Sequence, residues 1–207
     1  MIQGSDEWKE ARLGKVTASK IADVMAQGRG NQPSATRATY MGQLIAERLT
    51  GTPYDSFKSE AMEWGTETEA QARNAYAFMH DVDVEEAGFV EHPAIAESGA
   101  SPDGLVGDDG LTEIKCPNTS THIKTIMSGA APAQYIKQMQ WQMACTGRKW
   151  CDFISYDPRL PEHMQMVVVR VERDADLIAE MEIAVKAFLA EITDTIEQLN
   201  QKTGRAA

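Results

Sequence analysis

Apolar residues recur along this chain with two periods, and the change from one to the other divides it. Tyr40, Met41, Leu44, Ile45 and Leu49 share one face of a 3.6-residue repeat. That spacing predicts a helix over Thr36–Leu49, stopped by Gly51. The same repeat predicts helices over Asp6–Arg12, over Thr17–Met25 with Thr17 or Ser19 near the N-cap, and over Ser59–His80 with Ser59 as the cap. Gln27–Pro33 reads as a loop. From Val82 the period drops to two: Val82, Val84 and later Phe89-Val90 alternate with acids, as in a strand. Two further strand patterns, Ala100–Gly107 and Leu111–Cys116, flank Gly107-Asp108-Asp109-Gly110, a strong hairpin signal. Helical spacing returns over Ser120–Met127 and Pro132–Cys145. Strands are expected over Cys151–Tyr156 and Met164–Val171, and a long amphipathic helix over Asp174–Leu199, with residues 200–207 as a frayed tail. This order predicts an α/β fold in which helices flank both faces of a mixed central β-sheet, in one domain over residues 1–199.

Composition narrows what such a domain could do. The 207 residues suffice for one substantial core. No run of 18 apolar residues is present, so no membrane span is expected. The start, Met1 to Asp6, lacks the basic and apolar regions of a secretory leader, which points to the cytoplasm. Cys116, Cys145 and Cys151 form no C-x-x-C pair and fit neither a disulfide framework nor a four-thiolate cluster; reduced, mostly buried thiols are expected. His80, His92, His122 and His163 lack zinc-hydrolase spacing, and no phosphate-binding G-x-x-x-x-G-K-[ST] loop occurs.

The net charge of −11 argues against passive DNA binding, but it is unevenly spread. Residues 51–114 carry 15 acids and 2 bases, whereas residues 115–150 carry 5 bases and no acid. A basic surface beside a carboxylate cluster is the reading; segregation on solvated faces is the alternative.

The chemistry concentrates at the junction of these segments. Folding Ser101–Lys115 about Asp108-Asp109 sets Asp103 opposite Glu113 or Ile114, depending on loop length. Glu113 and Lys115, two apart on a strand, share a face. Two carboxylates and an ammonium thus converge at one edge of a hairpin. Magnesium takes one or two carboxylates plus water and substrate phosphate. Two such ions support phosphodiester hydrolysis. A lysine beside them could stabilise charge or, if desolvated, act as a base. An acidic hairpin with a solvated Glu–Lys pair has the same spacing.

The segment S-P-D-G-(x)8-E-I-K-C-P resembles the PD-(D/E)XK nuclease core. More closely, the chain resembles the lambda exonuclease (YqaJ-like viral recombinase) family. Trp8 to Ser19, W-K-E-A-R-L-G-K-V-T-A-S, matches that family's N-terminal pattern. Trp64 to Glu69 matches its W-G-x-x-x-E, and Tyr135 to Gln140 its Y-x-x-Q-x-Q. Tyr156-Asp157-Pro158-Arg159 has a counterpart too. The resemblance implies the exonuclease core and Mg²⁺-dependent 5′→3′ degradation of one strand of duplex DNA from a phosphorylated end. Two ions per site are implied, with Mn²⁺ as a substitute. It makes Asp103, Glu113, Glu69 and the Ile114 backbone carbonyl metal ligands and Lys115 the catalytic lysine, with Gln138 lining the site. Arg12, Ser19 and Ser101 would take the 5′-phosphate, with Tyr135 nearby. It further implies a homotrimeric ring around DNA, a single-strand annealing protein as partner, and a phage or prophage origin in a bacterial cytoplasm.

Simpler roles exist for several of these residues. Glu69 is placed for an i,i+4 pair with Arg73, and Ser19 and Ser101 for caps or turns. Gln138 suits a polar helix face, Tyr135 and the tryptophans suit packing, and Gly28-Arg29-Gly30 is a loop that could track DNA. A restriction- or repair-type endonuclease on the same core, and a non-catalytic DNA-end-binding module, are the alternative functions.

Overall fold

The computed structural model describes residues 3–28, 30, 34–54 and 60–204. Helix α1 (Asp6–Arg12) is capped by Ser5, whose side chain accepts from the Trp8 amide. The chain then departs from the expected Thr17–Met25 helix. Val16–Thr17 is a short strand, β1; Ala18–Lys20 is a 3₁₀ turn; only Ile21–Val24 is α-helical, α2. Thr17 is extended and caps nothing through its side chain, because its backbone pairs in parallel with Gly99. Helix α3 (Ala35–Thr50) stops at Gly51, whose φ of 67° is the left-handed end expected there. Helix α4 spans Glu60–His80; the expected Ser59 cap, and Arg29 with residues 31–33 of the expected loop, lie outside the described residues.

The strands form two sheets where one was expected. Strands β3 (Val90–His92) and β4 (Ile95–Ala100) join β1 in the order β1-β4-β3. The second sheet contains β2 (Val84–Glu85), β5 (Gly104–Val106), β6 (Gly110–Lys115), β7 (Trp150–Tyr156) and β8 (Met166–Glu172), in the order β2-β5-β6-β7-β8. It is mixed: β6 and β7 run parallel and the other neighbours antiparallel. Their crossover carries helices α5 (Thr119–Ser128) and α6 (Ala133–Thr146). Met164 falls in a 3₁₀ turn before β8, and helix α7 (Ala175–Lys202) runs past Leu199 into the stretch expected to fray; residues 205–207 lie outside the described residues.

The five-stranded sheet is packed on both faces, which explains the near-continuous burial of its central strands β6 and β7. Ala72 and Tyr76 of α4 meet Val106, Ile114, Ile154 and Tyr156 on one face. Met139 and Met143 of α6 meet Leu111, Cys151 and Phe153 on the other. A separate, larger core joins α2, α3, α6 and α7 around Trp141 and Phe188. All three cysteines are free, with Cys145 and Cys151 buried, and no described helix is long and apolar enough to cross a membrane.

One buried carboxylate locks the crossover to the sheet. Asp157, just past β7, has no solvent exposure. It accepts from the Thr119 hydroxyl at 2.6 Å and from Arg159 Nε at 2.7 Å, pinning the start of α5. Burial alone would raise its pKa, but the Arg159 and Thr119 bonds dominate and hold it at about 2. A folded pKa below the unfolded value gives stability that is complete above about pH 4 and lost as pH falls through 2. Asp157→Asn should therefore cost roughly 2 kcal/mol near neutral pH. In urea unfolding at stepped pH, the gap from wild type should close between pH 4 and 2; a gap constant with pH would contradict this.

Candidate active site

The site is built on the β5–β6 hairpin. Gly107, at φ 50°, opens its turn, and the strands pair Gly104 with Thr112 and Val106 with Gly110. This three-residue loop settles the register left open by the sequence. Continued one step, it sets Asp103 opposite Glu113, and the Asp103 amide donates to the Thr112 carbonyl at 3.2 Å. Arg148 staples the turn, donating to the carbonyls of Val106, Gly107 and Gly110. Lys149 pairs with Asp109. Much of the basic segment is thus spent on the acidic hairpin itself; exposed Lys124 is an exception.

Alternation along β6 turns Glu113 and Lys115 toward α6. Glu113 has no solvent exposure, yet both its oxygens are hydrogen-bonded. Oε1 accepts from Gln138 Nε2 at 2.6 Å and from the Lys115 ammonium, and Oε2 from Gln142 Nε2 at 2.6 Å. Lys115 also donates to the Ile114 carbonyl at 3.1 Å. Asp103, nearly buried, accepts from the Ile114 amide at 2.6 Å through Oδ2. Tyr135 stacks on Phe153, and its ring centroid lies 5.4 Å from the Lys115 ammonium. A cavity of about 370 Å³ beside Lys115 is lined by Lys124, Tyr135, Phe153 and Ser155 among others.

The electrostatics favour a cation. Burial, then the charge of Glu113, raises the Asp103 pKa well above the usual carboxylate range. Burial would lower that of Lys115, but Glu113 and Asp103 outweigh it and hold the ammonium charged. Burial raises Glu69, against the opposing pull of Arg73 and Lys115. Burial, then Glu69, pushes the Cys116 thiol up to about 12, so it is no nucleophile at neutral pH.

Not every expected residue joins the cluster. Glu69 makes its hydrogen bond to Arg73 at 2.8 Å, the i,i+4 pair anticipated as its simpler role, and feels the site through charge alone. Arg12 Nη1 and Trp8 Nε1 both donate to Ser101 Oγ, at 3.1 and 2.9 Å, and the guanidinium lies 4.0 Å above the Trp8 ring. Ser101 thereby keeps its own hydroxyl proton free to donate. Ser19 is exposed and lines a cleft with Arg12 but bonds to neither Arg12 nor Ser101 among the described residues. Gln140, within the Y-x-x-Q-x-Q pattern, turns away to the Glu172 carbonyl and the Asp174 amide. Gln142, which no motif marks, faces Glu113 instead. Its signal was the i,i+4 spacing from Gln138 on a helix.

Among the described residues no three His, Cys, Asp or Glu side chains meet as a preformed metal cluster. The donors available are Asp103, Glu113 and the Ile114 carbonyl, all hard oxygens that suit Mg²⁺ completed by water. The Lys115 ammonium already lies on two of them, so the position accommodates positive charge.

Overlaid on solved structures, this architecture is that of exonucleases. An alkaline exonuclease from Laribacter hongkongensis, LHK-Exo, is 56% identical over 97% of this chain and 98% of its own, with a TM-score of 0.90. LHK-Exo in complex with dAMP overlays at the same identity and coverage with a TM-score of 0.91. A phage-related exonuclease from Haemophilus somnus shares the fold at 16% identity and a TM-score of 0.71, over 89% of this chain and 96% of its own. The YqaJ-like viral recombinase domain model matches residues 7–149, and the chain belongs to that family. No curated protein matches the chain.

Lys115 should matter to stability as well as chemistry. Lys115→Met leaves Glu113 buried without its cation and should destabilise the fold in EDTA by about 1–3 kcal/mol, less than a fully buried pair would because Lys115 is partly exposed. An unchanged urea midpoint would show that the ammonium does not balance the cluster.

Proposed function

We propose that this chain is a Mg²⁺-dependent exonuclease that degrades the 5′ strand of duplex DNA from phosphorylated ends. The supporting observation is that Arg12 is hydrogen-bonded to Ser101, two residues before Asp103, whose carboxylate in turn accepts from the amide between Glu113 and Lys115. An end-binding guanidinium and a hydrolytic cluster then act on neighbouring phosphates of one strand. LHK-Exo, being an alkaline exonuclease solved with dAMP, is in keeping with this reading.

In this mechanism Asp103, Glu113 and the Ile114 carbonyl would hold Mg²⁺, and Glu69 would join them only on turning away from Arg73. Bound there, two ions would supply the activated water and stabilise the leaving oxygen. Arg12 grips the terminal 5′-phosphate through paired N–H donors, and Ser101 adds its hydroxyl. Ser19 would border the strand end in the cleft beside Arg12, and Tyr135 the scissile phosphate in the cavity beside Lys115. Gln138 orients Glu113. Lys115, held protonated by the carboxylates, acts as a donor to the phosphoryl oxygens. Water adds to the scissile phosphorus and the bond to the 3′ oxygen breaks. One 5′-mononucleotide with a 3′-hydroxyl is released, and the remaining strand again begins with a 5′-phosphate.

The 3′ single strand left behind suits a single-strand annealing protein, which we propose as the partner in recombination in a bacterial cytoplasm. A homotrimeric ring would reconcile the net charge of −11 with a DNA substrate: only a channel need be basic, and enclosure replaces static affinity. Light scattering should then give three times the 22.8 kDa chain mass. A monomer with and without DNA would exclude the ring.

The decisive assay is time-resolved digestion of linear duplex in Mg²⁺, comparing 5′-phosphate with 5′-hydroxyl ends. Loss of one strand from phosphorylated ends is expected, abolished in Lys115→Ala and Glu113→Ala. Arg12→Ala should lower kcat/KM on phosphorylated ends by about 10–100-fold, the worth of a charge-assisted contact. Full activity in the Lys115 and Glu113 variants would overturn the assignment.

A further inference from the structure

Gln142 has no solvent exposure and makes one side-chain bond through its amide nitrogen, 2.6 Å from Glu113 Oε2. Its orientation is forced, because a carboxylate only accepts and the amide must present its N–H. That leaves Gln142 Oε1 buried with no partner among the described residues. A side chain selected for packing on α6 would be apolar, like its neighbours Met139 and Met143. An amide kept at the cost of an unpaired oxygen calls for an explanation at the one group it touches.

The lone pairs of Glu113 supply it. Oε1 already accepts two bonds, from Gln138 and Lys115, whereas Oε2 accepts one, from Gln142. The acceptor direction still open on this carboxylate therefore lies on Oε2, and the Gln142 bond fixes where it points. Gln138 and Lys115 are partly exposed, whereas Gln142 is enclosed.

We propose that Gln142 is a positioning residue that aims the cation-facing oxygen of Glu113. The inference rests on the metal-dependent reading above. Donors behind a ligand carboxylate set its orientation, and their loss commonly weakens metal affinity 10–100-fold.

The test is calorimetric titration of the full chain with Mn²⁺, alongside its thermal unfolding, for wild type, Gln142→Met and Gln140→Met. Methionine keeps the length and removes the donor. Gln140 is the control, because it is buried on the same helix but bonds only the Glu172 carbonyl and the Asp174 amide. Gln142→Met should weaken Mn²⁺ binding by about 10–100-fold. Gln140→Met should leave it within about twofold, though its melting temperature falls. Should Gln142→Met fail to fold, Gln142→Asn, whose amide stops one methylene short, should give the same weakening. Folded Gln142 variants that bind Mn²⁺ as tightly as wild type would overturn the positioning role while leaving the nuclease reading intact. A wild type that binds no Mn²⁺ would overturn both.

Discussion

A carboxylate with no access to water is the constraint around which this structure is arranged. Glu113 sits in the middle of a sheet covered on both faces. A charge in that place is tolerable only if donors replace its hydration. Three do so: two glutamine amides from one helix and an ammonium two residues along its own strand. The crossover connection is what brings the helix there, since parallel β6 and β7 require a long link and α6 is part of it. Its methionines pack against the same strand whose glutamate its glutamines hold. Packing and polar chemistry in this region are therefore one arrangement.

Buried like charges rarely add stability. Asp103 and Glu113 raise one another's energy, and Lys115 offsets this only in part. In the proposed function this cluster is a site for an external cation and not part of the stabilising core, the usual trade at functional positions. Asp157 shows the contrast. It is equally hidden from solvent, but Arg159 and Thr119 satisfy it within the chain, and it serves as a fastener.

Strong local signals made much of this legible beforehand. The Gly107–Gly110 turn, the two-residue spacing of Glu113 and Lys115 and the long amphipathic helices all follow from short-range rules. The three-stranded sheet does not. Strand β4 reads Ile-Ala-Glu-Ser-Gly-Ala, with small residues in place of a β-branched alternation, and β1 is two residues long; β4 is a strand because β3 and β1 pair with its two edges, and β1 because it pairs with β4. Contact across 82 positions, such as the Ser98 hydroxyl on the Val16 carbonyl, leaves no mark on local spacing. Gln142 was missed for a related reason. The motif drew attention to Gln140, two residues earlier and on another side of the helix, while the i,i+4 partner of Gln138 carried the contact.

The short path from Ser101 to Asp103 has a mechanical corollary. Residues two apart span at most roughly 7 Å of backbone, and Pro102 between them is buried and rigid. In the proposed reaction the grip on the strand end and the cutting carboxylate are thus two marks on a ruler. On that reading the increment of digestion follows from this short covalent path, with Arg12 joined to it through its bond to Ser101. Each cut hands the ruler a new end of the same kind, so the enzyme advances by repetition of one fixed length.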